Sequence, residues 1–150
     1  MKAMKITFAL IVLALFAGCQ TYSDDQKNEF DDEIQAYIKK KGLDLERSES
    51  GLYFKIIDKG DGDEVLFRDK VSFKYRGEFL NGKVFDEQKE PIEYNVDILI
   101  GAWKEIMLEL NEGGKAFIIA PPTLGYGEND LEAIPPNSIL VYDLEVIEAK

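Results

Sequence analysis

A glycine-flanked aromatic, Gly125-Tyr126-Gly127, stands six residues ahead of Ile134-Pro135-Pro136-Asn137, and the prolines run directly into Ile139-Leu140-Val141-Tyr142-Asp143. Consecutive prolines hold φ near about −65° and remove two backbone donors, so no helix crosses this stretch. The flanking glycines admit backbone angles closed to other residues. The C-terminal region is thereby confined to a rigid turn and one long strand, residues 139–147, with an aromatic presented ahead of them.

The rest of the chain from residue 51 also reads as strands and turns. Residues 52–57 form a short apolar run that ends in the turn cluster Lys59-Gly60-Asp61-Gly62. Val71, Phe73 and Tyr75 alternate with Ser72, Lys74 and Arg76, the period of a half-buried strand. Leu80-Asn81-Gly82-Lys83 holds an Asn-Gly pair, which favours a tight hairpin. Residues 117–120 are a fourth strand and residues 139–147 a fifth. Between hairpin and fourth strand, Trp103, Ile106, Met107 and Leu110 recur at helical spacing, and Gly113-Gly114 marks the end. One short helix on an antiparallel sheet predicts an α+β domain over residues 51–150.

The N-terminus has a different character. Lys2 and Lys5 precede an apolar run, residues 6–16, followed by Ala17-Gly18-Cys19. A basic start, a short apolar centre and small residues before the cut predict a secretory signal peptide over residues 1–18. The run is too short for a spanning helix, which needs about 20 residues. Cys19 is the sole cysteine. Its place after Ala17-Gly18 resembles a bacterial lipoprotein lipobox, which implies lipidation of Cys19 as the first mature residue. A lone buried thiol is the other reading. Acyl chains on one cysteine give stable anchoring, since each buried methylene contributes about 0.8 kcal/mol. The expected location is the cell envelope, at the outer rather than the inner membrane.

The formal net charge is −11, and loss of residues 1–18 removes Lys2 and Lys5 and no acid, leaving −13. Such a surface repels phosphates, which argues against a nucleic-acid partner and leaves membrane attachment to the lipid. Residues 20–23 read as a polar tether. Residues 24–41 read as a helix with Phe30, Ile34, Tyr37 and Ile38 on one narrow stripe, acids at its start, lysines at its end and Gly42 as the stop. Two readings stay open for it: an arm docked on its own domain, or a stalk that dimerises through residues 24–41. Ser23-Asp24-Asp25 also resembles the acidic export tags of some surface lipoproteins, and a charged helix start accounts for the same residues.

The inventory of reactive groups is short. The chain has no histidine, which excludes His-based triads, the common zinc sites and imidazole acid–base work. It has no glycine-rich phosphate loop, and its carboxylates are scattered among lysines. No cofactor or metal is implied. An enzyme of this composition must run a reaction that needs little covalent help.

Val71-Ser72-Phe73-Lys74-Tyr75-Arg76-Gly77, Gly82-Lys83-Val84-Phe85-Asp86, Gly125-Tyr126-Gly127 and Ile134-Pro135-Pro136 together resemble the FKBP family of peptidyl-prolyl isomerases. The resemblance implies an FKBP-like antiparallel sheet wrapped on one short helix, and proline-containing polypeptides as substrates. It implies catalytic roles for Tyr75, Asp86, Ile100 and Tyr126. It implies substrate-binding roles for Phe85, Ile92, Leu99, Trp103, Ile134 and Tyr142. Trp103 would be the floor, Phe85, Tyr75 and Tyr142 the walls, and the Ile100 N–H and Tyr126 hydroxyl the donors. Asp86 would accept from Tyr75 and place negative charge beside the rotating carbonyl carbon.

Gly101-Ala102-Trp103 departs from the family order, in which glycine directly precedes the tryptophan, and Ile106 stands where glycine is common. Ile92 replaces a common phenylalanine, and the segment between Asp86 and Ile92 is short. The expected function is prolyl isomerisation assisting exported proteins from a lipid anchor. The alternative is a catalytically weak binding module or assembly factor on the same fold.

Overall fold

The computed structural model describes residues 22–150. The signal peptide expected over residues 1–18 and the lipidation expected at Cys19 fall outside the described residues.

Among the described residues the first element is a helix, α1 (Asp24–Lys41), followed by β1 (Glu46–Arg47) and β2 (Tyr53–Asp58). Next come β3 (Lys70–Phe79), β4 (Val84–Asn95), a short helix α2 (Gly101–Met107), β5 (Lys115–Ala120) and β6 (Leu140–Ala149). The six strands form one sheet in the order β1-β2-β5-β6-β3-β4, and every neighbouring pair is antiparallel.

Both faces of this sheet are covered, and the alternation within β5 and β6 sets which side chain goes where. Ile118, Leu140, Tyr142, Leu144 and Val146 pack with Phe73 and with Trp103, Ile106 and Met107 of α2. Their neighbours Ile119 and Val141, with Tyr53, pack on the opposite face against Ile34 of α1. The unbroken apolar run across the fourth strand is thus a strand buried on both sides.

Helix α1 begins where Ser23 accepts from the Gln26 N–H while the Gln26 side chain accepts from the Ser23 N–H, a reciprocal capping box. Asp24 and Asp25 fill its first turn, Lys39 to Lys41 its last, and Gly42 closes it at φ 63°. The apolar stripe lies on the chain's own sheet: Ile34 is fully buried, with Phe30, Tyr37 and Ile38 packed around the same cluster. Burying such an isoleucine contributes about 1.5–3 kcal/mol. Asp31 fastens the docking, accepting from the Tyr53 hydroxyl at 2.8 Å, from Arg47 Nε at 2.8 Å and from Gln35 Nε2 at 2.7 Å.

Several expectations are corrected. Tyr22, expected in a polar tether, is only 5% exposed; its ring meets Phe30 edge-on at 5.4 Å. Helix α2 stops at Met107 rather than near Gly113, and Leu110 is buried from a succession of turns beyond it. The two-residue β1 adds a sixth strand, which its exposed charged residues did not announce. The segment after the hairpin is no short loop. It is the twelve-residue edge strand β4, where Phe73 pairs with Ile92 and Tyr75 with Gln88. Two extra residues are therefore absorbed on β4 between those pairs. Pro91 sits in that irregularity on a sheet edge, where a missing N–H is tolerated.

Candidate active site

Helix α2 presents Trp103 to the sheet, 7% exposed, in a nest of aromatics. Its ring lies 4.7 Å from Tyr75, 5.0 Å from Tyr142 and 5.3 Å from Phe73, the last two edge-on. Edge-to-face contacts at these separations are favourable because ring edges are positive and faces negative. The changed order around Ala102 is accommodated: Ala102 and Ile106 are both buried beneath the floor that Trp103 forms. The indole N–H of Trp103 is buried without a hydrogen-bond partner. Such orphaned donors are rare in structural cores.

Above Trp103 opens a cleft of about 400 Å³. Of the ten residues expected to bind or catalyse, seven line it: Tyr75, Asp86, Ile92, Leu99, Ile100, Trp103 and Tyr126. They come from β3, β4, the turn before α2, α2 itself and the loop after β5. Phe85, Tyr142 and Ile134 are not in its lining. Tyr142, expected as a wall, is 1% exposed and lies beneath the floor. Phe85 meets Tyr142 edge-on at 5.7 Å and Phe79 at 4.9 Å, so it buttresses that layer. Ile134 is buried in the same core, at the end of the loop that carries Tyr126.

Gly77 makes this layering feasible. A Cβ there would come within 2.6 Å of Phe85 Cζ and 2.8 Å of Tyr142 Cε1, well inside van der Waals contact. With the two rings where they stand, the position after Arg76 has no room for a side chain.

The polar groups of the cleft are few and oriented. The Tyr75 hydroxyl donates to Asp86 Oδ2. Burial, then the Asp86 hydrogen bond and charge, push the Tyr75 hydroxyl far above its ordinary value. Burial and the Asp86 charge likewise raise Tyr126. Both hydroxyls therefore stay protonated. Ile100 is the residue that caps α2, its carbonyl accepting from Trp103 and Lys104 at 3.1 and 3.0 Å. The site thus offers an apolar floor, phenol hydroxyls and one carboxylate.

A sequence model of the family "FKBP-type peptidyl-prolyl cis-trans isomerase" matches residues 62–147. The chain belongs to this family. Over 151 aligned residues it is 37% identical to a probable FKBP-type peptidyl-prolyl cis-trans isomerase of Haemophilus influenzae, covering 98% of this chain and 62% of the relative. It is 34% identical over 119 residues to FkpA of Escherichia coli, covering 77% of this chain and 43% of the relative. The chain thus spans less than two thirds of the length of either relative.

Among solved structures, E. coli FkpA superposes with a TM-score of 0.73 at 32% identity, over 84% of this chain and 60% of FkpA. AtFKBP13 superposes at 0.65 and 30% identity, over 72% of this chain and all of AtFKBP13. The FKBP fold expected from the motifs, a sheet wrapped on one short helix, is the fold observed.

Gln88, Tyr94 and Ile98 complete the FKBP cleft and were missed in the sequence. Tyr94 stands two residues after Ile92 on one strand, so period two places both on one face. Gln88 faces Tyr75 in register. Ile98 is 67% exposed, and no periodicity marks a single turn of helix between strand and α2.

Proposed function

We propose that the chain is a peptidyl-prolyl cis-trans isomerase acting on proline-containing polypeptides. One observation carries the reading: Tyr75 paired with Asp86, Tyr126 and the residue that caps α2 converge on an apolar cleft floored by Trp103. Rotation about the prolyl amide has a barrier of about 18–20 kcal/mol because resonance is lost at the twisted state. That state is less polar along the C–N bond, so a dry aromatic cup favours it over the planar forms. Trp103, Ile92 and Leu99 take the proline ring. The Tyr126 hydroxyl and the Ile100 N–H hold carbonyls flanking the proline. Asp86, oriented by Tyr75, places negative charge near the carbonyl carbon as it rotates. Phe85, Tyr142 and Ile134 act from behind, by holding the cleft's shape.

In the same reading, residues 1–18 are a signal peptide, Cys19 carries the lipid, and residues 51–150 are the isomerase domain. The protein then serves exported proteins in the cell envelope, held at the outer membrane. Dimerisation through residues 24–41 is not part of it, because the apolar stripe of α1 is docked on its own sheet. Replacement of Cys19 by serine should release the protein from the membrane fraction; retention there would end the lipid-anchor reading.

The test of activity is isomerisation of a short Xaa-Pro peptide by the wild-type chain and by Asp86→Ala. Asp86 is exposed, so its loss should leave thermal stability within about 2 °C while turnover falls about tenfold or more. A folded wild-type chain with no acceleration would favour the binding-module reading, for which the aliphatic Ile92 in the cleft is the supporting observation.

A further inference from the structure

Tyr22 lies far from the cleft in sequence, yet its hydroxyl donates to Asn137 Oδ1 at 2.7 Å, across 115 positions. Its ring is almost fully buried against Phe30 of α1. Asn137 is the one residue other than glycine, among those described, with a positive φ, 59°. Asparagine adopts that conformation at lower cost than bulkier residues. In it, the Asn137 N–H donates to the Gly127 carbonyl at 2.7 Å. Gly127, itself at φ 61°, donates to Pro122 at 3.1 Å. Tyr126, which lines the cleft, is the residue immediately before Gly127.

These bonds form one line from the N-terminal segment to the loop that carries Tyr126. The loop between β5 and β6 holds no strand and only the single helical turn at Pro122–Leu124, with Leu124 set against Gly101 at the start of α2 and Tyr126 and Ile134 packed on the core. Across the loop, the bond from Asn137 to Gly127 closes the base. Tyr22 fixes the side chain of the residue that makes that closure. Tyr22 stands three residues after Cys19 in the sequence.

We infer that Tyr22 is a positioning residue for Tyr126, acting through Asn137 and Gly127. The inference rests on the isomerase reading of the cleft for its functional consequence. Its structural content does not depend on that reading.

The experiment uses the full chain and two variants that keep the packing. Tyr22→Phe retains the ring against Phe30 and removes the donor. Asn137→Gly retains the positive φ and the N–H and removes the acceptor. Each should lower kcat/KM for an Xaa-Pro peptide about fivefold, the weight of one hydrogen bond, and the double variant should lose little more. Placed in a Tyr126→Phe background, Tyr22→Phe should have almost no further effect, because the hydroxyl that it positions is gone. Amide exchange at Asn137 and Gly127, followed by NMR, should quicken by a similar factor in both variants. An equal loss in the presence and absence of the Tyr126 hydroxyl would overturn the inference, since Tyr22 would then act on stability alone. Unchanged exchange at Asn137 and Gly127 would overturn it as well. If the wild-type chain fails to accelerate the peptide, the isomerase reading falls, and the exchange measurement still decides the positioning role.

Discussion

The Tyr75 hydroxyl donates to Asp86 across the β3–β4 pair, although the two residues are not opposite one another. Tyr75 faces Gln88 and Gly77 faces Asp86, so the bond runs diagonally along one face of the sheet. Diagonal neighbours in a ladder lie about 7–8 Å apart at the backbone, within reach of a tyrosine. Because burial and Asp86 hold Tyr75 far above its ordinary value, the Tyr75 hydroxyl keeps its proton at mildly alkaline pH. Burial and Asp86 also raise Tyr126 above 10.0. The kcat/KM profile for an Xaa-Pro peptide should therefore be flat from about pH 7 to about pH 9. A loss of activity across that interval would show that one of these phenols titrates.

Gly77 is a position where one methyl group should be costly. The added Cβ would overlap Phe85 and Tyr142, both attached to strands that cannot easily move apart. Overpacking of this kind costs about 1–3 kcal/mol. Gly77→Ala should lower Tm by several degrees, at about 2–4 °C per kcal/mol, and reduce turnover through the displaced layer. Thermal denaturation beside the peptide assay checks both. An unchanged Tm would mean that the rings have room to retreat.

Trp103 is the sole tryptophan of the chain, so its emission reports on the cleft alone. Binding of a proline peptide should shift that emission, and Asp86→Ala should bind with a similar shift while turning over more slowly. Trp103→Ala should cost about 3–5 kcal/mol of stability together with activity, as for other buried aromatics cut to alanine. A peptide that is isomerised without any change in emission would place the reaction elsewhere.

Asp31 makes the docking of α1 dependent on pH. Partial burial raises its carboxyl, but hydrogen bonds from Tyr53, Arg47 and Gln35 outweigh this and hold it below the ordinary 3.8. A depressed acid contributes stability that is present above its unfolded value and lost as pH falls through its folded value. Asp31→Asn should therefore destabilise the chain at neutral pH by about 1 kcal/mol, discounted for the half-exposed Arg47. The difference from wild type should close as the pH drops below 3.8. Denaturant titrations at neutral and acid pH measure it, and a difference independent of pH would assign Asp31 no electrostatic part.

Much of the site was legible in the residues because it is built from local rules. Alternation placed Tyr75 on the core face of β3, Asn81-Gly82 turned the hairpin that brings Asp86 back toward it, and helical spacing put Trp103 on the buried side of α2. The N-terminal helix was bounded correctly, since Ser23 and Gly42 are caps whose geometry depends only on their own neighbours. The misses share another cause. β4 is a charged edge strand, and Tyr22 is one aromatic in a polar stretch; each owes its place to a distant partner.

The sequence by itself determined strands β2, β3, β5 and β6, the bounds of α1, the helix that carries Trp103 and much of the cleft's lining, because propensity, capping and periodicity are properties of adjacent residues. Tertiary structure alone decided that α1 lies on its own sheet and that Tyr142 and Phe85 support the cleft from beneath instead of lining it. It also decided that Tyr22 reaches Asn137. Those outcomes turn on which of two apolar faces meets which, and on contacts across a hundred positions. No local pattern records them, because the free energy that selects them appears only when the surfaces close against each other.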